Sequence, residues 1–212
     1  MTRVLLADDH ALVRHGIRLI LDAEPDFEVV AEAGDGAEAV ERALADGIDL
    51  AVLDVSMPRL TGIQAARQIA EQRPEMRVLL LSVHDNEQFF FESLRAGASG
   101  YVLKSAAHED LVGACRAAMR GEPFFHPRGV AALVREFLEH GPEWTPADPL
   151  SARESEVLKL IAEGLTSREI GDVLHISDKT VERHRSNILD KLGLKDRVAL
   201  TRYAIRRGLI EP

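Results

Sequence analysis

Up to about residue 120, short runs of Val, Leu and Ile alternate with longer stretches whose apolar residues recur at helical spacing. The runs at 4–8, 28–33, 50–54, 78–82 and 100–103 predict five strands, each followed by a helix. These strands are apolar almost throughout, which is the pattern of burial on both faces. Five such βα units therefore imply a parallel sheet with helices on either side. Gly47, Gly97 and Gly121 stand where helices should close on a left-handed residue. One more helical stretch, with Val130, Leu133, Val134 and Phe137 at helical spacing, lies within 123–141. Three prolines within 141–149 then end all periodicity and predict a linker.

Beyond the linker only helical signals remain. Ser151 with Glu154 and Thr166 with Glu169 both fit a capping box, Gly164 closes the first helix, and Ser177 caps a third. That third helix runs to about Leu192 and stops at Gly193, and a fourth runs from Asp196 to near Gly208. Two short helices joined by a tight turn, the second longer and basic, predict a helix-turn-helix. The expected domains are 1–121, a connecting segment with one helix at 122–149, and 150–212. The fold class is α/β followed by all-α.

Charge divides along the same line. Of the net −9, residues 1–150 carry 14 basic and 25 acidic side chains, and residues 151–212 carry 12 and 10. Only the second part, at +2 against −11, can approach a phosphate backbone without strong repulsion. A lone cysteine, Cys115, excludes an intrachain disulfide and points to a reducing compartment. No apolar run reaches the ~20 residues a membrane span needs, and the N-terminus lacks a signal pattern. The expectation is a cytoplasmic protein with no membrane partner.

The chemistry gathers at the carboxyl ends of the predicted strands. Asp8 and Asp9, Asp54, Ser82 and Lys104 each close one of the apolar runs, and ligands of open parallel sheets bind at that edge. Crowded carboxylates resist ionising together, and a hard divalent cation, Mg2+ or Mn2+, removes the conflict. With a cation present, Asp54 can attack phosphorus and carry the phosphoryl group, while Lys104 and Ser82 neutralise and hydrogen-bond its oxygens. Singly, each of these residues has a blander account as a helix cap, a surface lysine or a satisfied hydroxyl. Their coincidence at matching ends of four runs favours the site.

The stretches Leu5-Leu6-Ala7-Asp8-Asp9-His10, Leu53-Asp54-Val55-Ser56-Met57-Pro58, Leu80-Leu81-Ser82 and Gly100-Tyr101-Val102-Leu103-Lys104 resemble the response regulators of two-component signalling. The resemblance covers residues 3 to about 120. It implies a flavodoxin-like receiver in which Asp54 is the phosphoacceptor and Asp8, Asp9, Asp54 and the Ser56 backbone carbonyl surround the metal. Tyr101 matches the aromatic that turns inward when the hydroxyl follows the phosphate. The family often has proline after the lysine, joined by a cis peptide, where this chain has Ser105. A cis bond there costs ~3 kcal/mol, so either the strain is borne or the loop differs. His84 lies where the family tunes phosphate lifetime, although a solvated loop histidine explains it as well.

On the third C-terminal helix Val181, Ile188 and Leu192 share one face, flanked by His184 and Leu189, while Lys179, Arg183, Ser186 and Asp190 point away. Arginine can read guanine and glutamate can accept from cytosine, although a mixed polar face is ordinarily just solvated. The stretches Leu150 through Leu158, Glu163 through Ile170 and Lys179 through Ile188 resemble the LuxR-type DNA-binding domain. This resemblance implies base contacts from Glu182, Arg183 and Ser186, and phosphate contacts from Lys179, Thr180, His184 and Arg185. It also implies that the last helix pairs two protomers, although its Val198, Ala204 and Ile205 suit a core equally well.

The two resemblances in this order identify a member of the NarL/FixJ response regulators, a transcription regulator and not an enzyme. They imply a sensor histidine kinase as phosphodonor, a homodimer when active, double-stranded DNA with a two-fold operator, and RNA polymerase as a further candidate partner. An aspartate-nucleophile phosphatase would need a second acid two residues past Asp54, where Ser56 stands. A ligand-sensing LuxR-type regulator would need an apolar pocket in place of the acidic cluster. A regulator that binds DNA without phosphorylation is a third reading that no residue requires.

Overall fold

A computed structural model describes residues 1–45, 47–83, 87–125, 127–140, 150–206 and 209–210. The chain divides into two compact units, Met1–Thr145 and Pro146–Pro212.

The first unit is built on strands β1 (Thr2–Ala7), β2 (Phe27–Ala33), β3 (Leu50–Asp54), β4 (Arg77–Ser82), β5 (Gly100–Leu103) and β6 (Phe124–Phe125). They form one parallel sheet in the order β2-β1-β3-β4-β5-β6. Five strands follow the sequence pattern. The sixth corrects it: Phe124 and Phe125, read as part of the connecting segment, pair with Gly100 and Tyr101. A two-residue strand has no period to detect, and its place is set by tertiary contact.

The helices of this unit are α1 (Ala11–Asp22), α2 (Gly36–Ala43), α3 (Gly62–Gln72), α4 (Glu87–Arg95), α5 (Ala107–Met119) and α6 (Pro127–His140). Because successive strand residues face opposite ways, each strand feeds two cores. Leu5, Ala7, Ala51, Leu53, Val78, Leu80 and Tyr101 pack with α2, α3 and α4. Val4, Leu6, Leu50, Val52, Leu79, Leu81 and Val102 pack with α1 and α5. Burial on both faces is what the unbroken apolar runs encode. Cys115 lies in α5, fully buried, and that burial pushes its thiol pKa up to about 12, which makes it a packing residue.

The second unit is helical, with α7 (Ala152–Ala162), α8 (Ser167–Leu174), α9 (Asp178–Leu192) and α10 (Arg197–Arg206). Both expected capping boxes are present: Ser151 with Glu154 opens α7, and Thr166 with Glu169 opens α8. Ser177 caps α9, which closes on left-handed Gly193. Val157, Ile161, Ile170, Val181, Ile188, Leu200 and Ala204 make the core. Of the three apolar α10 residues weighed above, Ala204 is therefore core and Val198 is exposed.

The turn between α8 and α9 depends on Gly171, where an added Cβ would stand 2.6 Å from the Ile176 carbonyl oxygen. His175 takes the left-handed conformation just before this contact and ends α8. Gly171→Ala is expected to cost the helical unit about 2 kcal/mol, because backbone on both sides cannot give way. Urea denaturation followed by circular dichroism measures the loss.

Candidate functional site

Strand register assembles the acidic site. Ala7 pairs with Leu53, Asp54 with Leu81, and Ser82 with Leu103. One residue further along, Asp8, Asp54, Ser82 and Lys104 therefore come to the same edge of four adjacent strands. This edge also holds the point where the chain, having passed from β1 to β2, returns to β3 on the other side of β1.

Lys104 reaches back across the edge. Its Nζ stands 2.7 Å from Asp8 Oδ2 and 2.7 Å from Asp54 Oδ2. Asp8 and Asp54 are buried, with Asp8 wholly inaccessible. Burial raises the Asp54 pKa to about 6, although the hydrogen bond from Lys104 and its charge pull the other way. Burial also opposes the Lys104 ammonium. The hydrogen bonds to Asp54 and Asp8 outweigh it, so the Lys104 pKa stands above its ordinary value.

A single ammonium facing two buried carboxylates leaves negative charge uncompensated. Asp8 Oδ2 is buried and pairs with Lys104, the same ammonium that Asp54 shares. Two buried carboxylates sharing one ammonium, with the exposed Asp9 beside them, suit a hard divalent cation. Donor atoms of Asp8, Asp9, His10 and Asp54 all lie within 4.8 Å of one another. The residues present therefore fit the metal that such an acidic pocket implies.

Two neighbours escaped sequence reading. His10 Nδ1 lies 2.7 Å from Asp9 Oδ1, and Arg14 donates from Nη1 to the Asp8 carbonyl oxygen at 2.5 Å. Arg14 is itself held by Glu32 at 2.9 Å, so it fixes the Asp8 backbone from behind. The only hint in the sequence was position: His10 follows the aspartate pair, and Arg14 lies one helical turn later.

The other expected residues are placed as follows. Ser82 is buried at the end of β4. The Ser56 backbone amide donates to Asp54. Tyr101 is buried, packed in the core on the α4 side of the sheet. Its pairing with both Leu80 and Phe125 holds the strand on either side. The Lys104–Ser105 peptide is trans, and Lys104–Ala106 form one 3-10 turn into α5, so the loop differs from the proline-bearing form. His84 and the linker at 141–149 lie outside the described residues.

In the helical unit Lys179, Glu182, Arg183 and Ser186 are exposed on α9, and Thr180, His184 and Arg185 are half-buried. Val181 and Ile188 are buried on the opposite face. The Glu182 carboxylate accepts a hydrogen bond from the Ser167 hydroxyl at the start of α8, and Thr180 Oγ1 meets Ser177 Oγ at 2.8 Å. Arg183 is thus the exposed cation nearest the middle of this face. The arrangement presents donors at the start of a helix long enough to enter a major groove.

Comparison with known proteins agrees with both units. Residues 4–116 match a family described as response regulator receiver domain, and residues 148–204 match one described as bacterial regulatory proteins, luxR family. The oxygen regulatory protein NreC of Staphylococcus aureus is 41% identical over 215 residues, covering 99% of each chain. The crystal structure of ChrA, a response regulator of a heme-sensing two-component system, is 38% identical with 98% of each chain covered and a TM-score of 0.52. The RcsB response regulator of Salmonella typhimurium is 30% identical, covers 95% of this chain and 96% of its own, and has a TM-score of 0.67.

Proposed function

Since the chain belongs to the response regulators that join a receiver domain to a LuxR-type DNA-binding domain, we propose that phosphorylation of Asp54 controls its dimerisation and promoter binding. The observation that carries this reading is Lys104 held between Asp8 and Asp54, two buried carboxylates that share one ammonium. A divalent cation bound by Asp8, Asp9, Asp54 and the Ser56 carbonyl would supply positive charge for phosphoryl oxygens.

The residues of the chain do the rest. An Asp54 carboxylate oxygen attacks the phosphorus of a kinase phosphohistidine; the O–P bond forms as the P–N bond breaks, and the imidazole leaves with the electron pair. Lys104, now beside Asp54, meets the added negative charge with its ammonium, and the Ser82 hydroxyl donates to a phosphoryl oxygen. Relocating Lys104 and Ser82 onto the phosphoryl group shifts a two-state equilibrium around β4, β5 and Tyr101.

On the output side, Glu182, Arg183 and Ser186 meet base edges, and Lys179, Thr180, His184 and Arg185 meet phosphates. Two protomers paired through α10 would read a two-fold operator, with RNA polymerase as a further contact at the promoter. The exposed Val198 and the groove that it lines with Leu194, Ala199 and Ile205 favour that pairing. No described helix is long and apolar enough to cross a membrane.

Asp54→Asn tests the reading. With a small-molecule phosphodonor, wild type is expected to bind its selected operator at least tenfold more tightly, and Asp54→Asn is expected to show no enhancement. Electrophoretic mobility shift at fixed salt measures both, and equal enhancement in the two proteins would remove Asp54 from the mechanism.

A further inference from the structure

We infer that Ser167 is a positioning residue for DNA sequence reading, its hydroxyl holding the Glu182 carboxylate across the α8–α9 turn so that Glu182 selects cytosine. This role rests on the proposed reading of base edges by α9 and adds to it a residue from a second helix and a base preference.

Glu182 is exposed in the second turn of α9, away from the face that buries Val181 and Ile188. Lys179 lies three residues before it, a spacing at which opposite charges on one helix commonly pair, and Arg183 follows it directly. Among the described residues Glu182 pairs with neither. Its carboxylate accepts instead from the Ser167 hydroxyl, 15 residues back on α8. A neutral donor leaves the carboxylate its charge and leaves both cations for the nucleic acid.

Ser167 is itself firmly set. It is the first residue of α8, directly after the N-cap Thr166, whose capping box with Glu169 closes at 2.8 and 3.3 Å. At the other end of α8, Arg153 ties the Leu174 carbonyl to α7 at 2.5 Å, and Gly171 lies against the Ile176 carbonyl where the chain turns into α9. The Glu182 carboxylate is therefore pinned at the positive end of α8, where the helix dipole also favours it. The crossing of the two helices does not depend on this bond, because Ile170, Val181 and Ile188 are buried in the core that α8 and α9 share. What the bond does is hold a long exposed side chain in one conformation.

Holding it there decides what it can read. Oε1 is taken by Ser167, and Oε2 remains to accept. In the major groove cytosine offers one donor, its N4 amine; adenine sets the N7 acceptor beside its amine, guanine offers acceptors alone, and thymine an acceptor and a methyl group. A mobile carboxylate can swing away from a wrong base and escape the repulsion. A fixed one cannot, so the bond sharpens rejection of the other three bases more than it strengthens binding of cytosine.

The test has full-length protein, with a small-molecule phosphodonor present, select bound sequences from a random DNA pool. Wild type is expected to show one position where cytosine is preferred at least tenfold, and Glu182→Ala to abolish that preference. Ser167→Ala is expected to lower it about fivefold, with the other positions, the affinity for non-specific DNA and its salt dependence unchanged. Ser167→Thr, which keeps the hydroxyl, is expected to retain it. Three results would overturn the role of Ser167 and leave Glu182 as a reader: undiminished preference in Ser167→Ala, an equal loss of affinity for every sequence, or a threonine variant as relaxed as the alanine one. A base other than cytosine at the position that Glu182→Ala disturbs would overturn the base preference. A selected sequence that Glu182→Ala leaves unaltered would overturn the reading of bases by Glu182 as well.

Discussion

Gly62→Ala is expected to destabilise the first unit by about 3 kcal/mol and to slow phosphorylation of Asp54 by about 100-fold. Gly62 opens α3 directly beneath the phosphoacceptor. Its amide donates to the Val55 carbonyl at 3.0 Å, and a methyl on its Cα would overlap the Asp54 carbonyl oxygen. Neither side can yield. Asp54 is fixed by the pairing of β3 with β4, and Gly62 by the capping box of Thr61 and Gln64, whose two hydrogen bonds measure 2.9 and 3.1 Å. The strain must therefore move the Asp54 carboxylate, the one group whose placement the chemistry needs. Gly16→Ala supplies the contrast: Gly16 lies inside α1 with open space where a Cβ would be, so alanine there should stabilise by about 0.5–1 kcal/mol. Urea denaturation gives both stabilities, and labelling with a small-molecule phosphodonor gives both rates. A Gly62→Ala protein phosphorylated at the wild-type rate would show that Asp54 tolerates displacement.

How far the site was legible follows from how local each signal is. The strands at 50–54 and 100–103 were readable to the residue, because a run buried on both faces ends sharply at its first charged residue. The caps at Ser151, Thr166 and Ser177 were readable because side chain and amide lie within one turn. Asp8, Asp54 and Lys104 were readable as strand ends, and only the register brings them within 2.7 Å. What escaped is what no local pattern carries. Phe124–Phe125 are too short for a period, Gly62 matters through a carbonyl eight residues back, and Arg14 acts through the Asp8 backbone and not through a charge partner in the motif. Glu182, read as a free acceptor on the α9 face, is engaged by Ser167 from the preceding helix, a contact that depends on how α8 and α9 cross.

Lys104→Met is expected to lower the stability of the metal-free protein at pH 7 by about 3–5 kcal/mol, because it leaves Asp8 and Asp54 buried without their shared cation. The loss should depend on pH in a definite direction. Burial raises the Asp54 pKa from 3.8 to about 6, and the Lys104 hydrogen bond is what holds it that low. A carboxyl whose folded pKa exceeds its unfolded value favours folding in its protonated form. Its contribution is full below about pH 4 and is lost as pH rises through 6. In wild type that decline is expected between about pH 4 and 6. In Lys104→Met the folded pKa rises further, so the decline continues to higher pH and the deficit against wild type widens from pH 5 to pH 8. Mg2+ should reverse the trend, since an ion that binds the folded state alone stabilises by about 2.7 kcal/mol at 100 times its dissociation constant. In Lys104→Met it also replaces the missing positive charge. Thermal denaturation of both proteins at pH 5 and pH 8, with chelator and with Mg2+, measures all of these terms. A variant whose deficit is the same at both pH values would mean that Lys104 acts by packing, and not by neutralising the two aspartates.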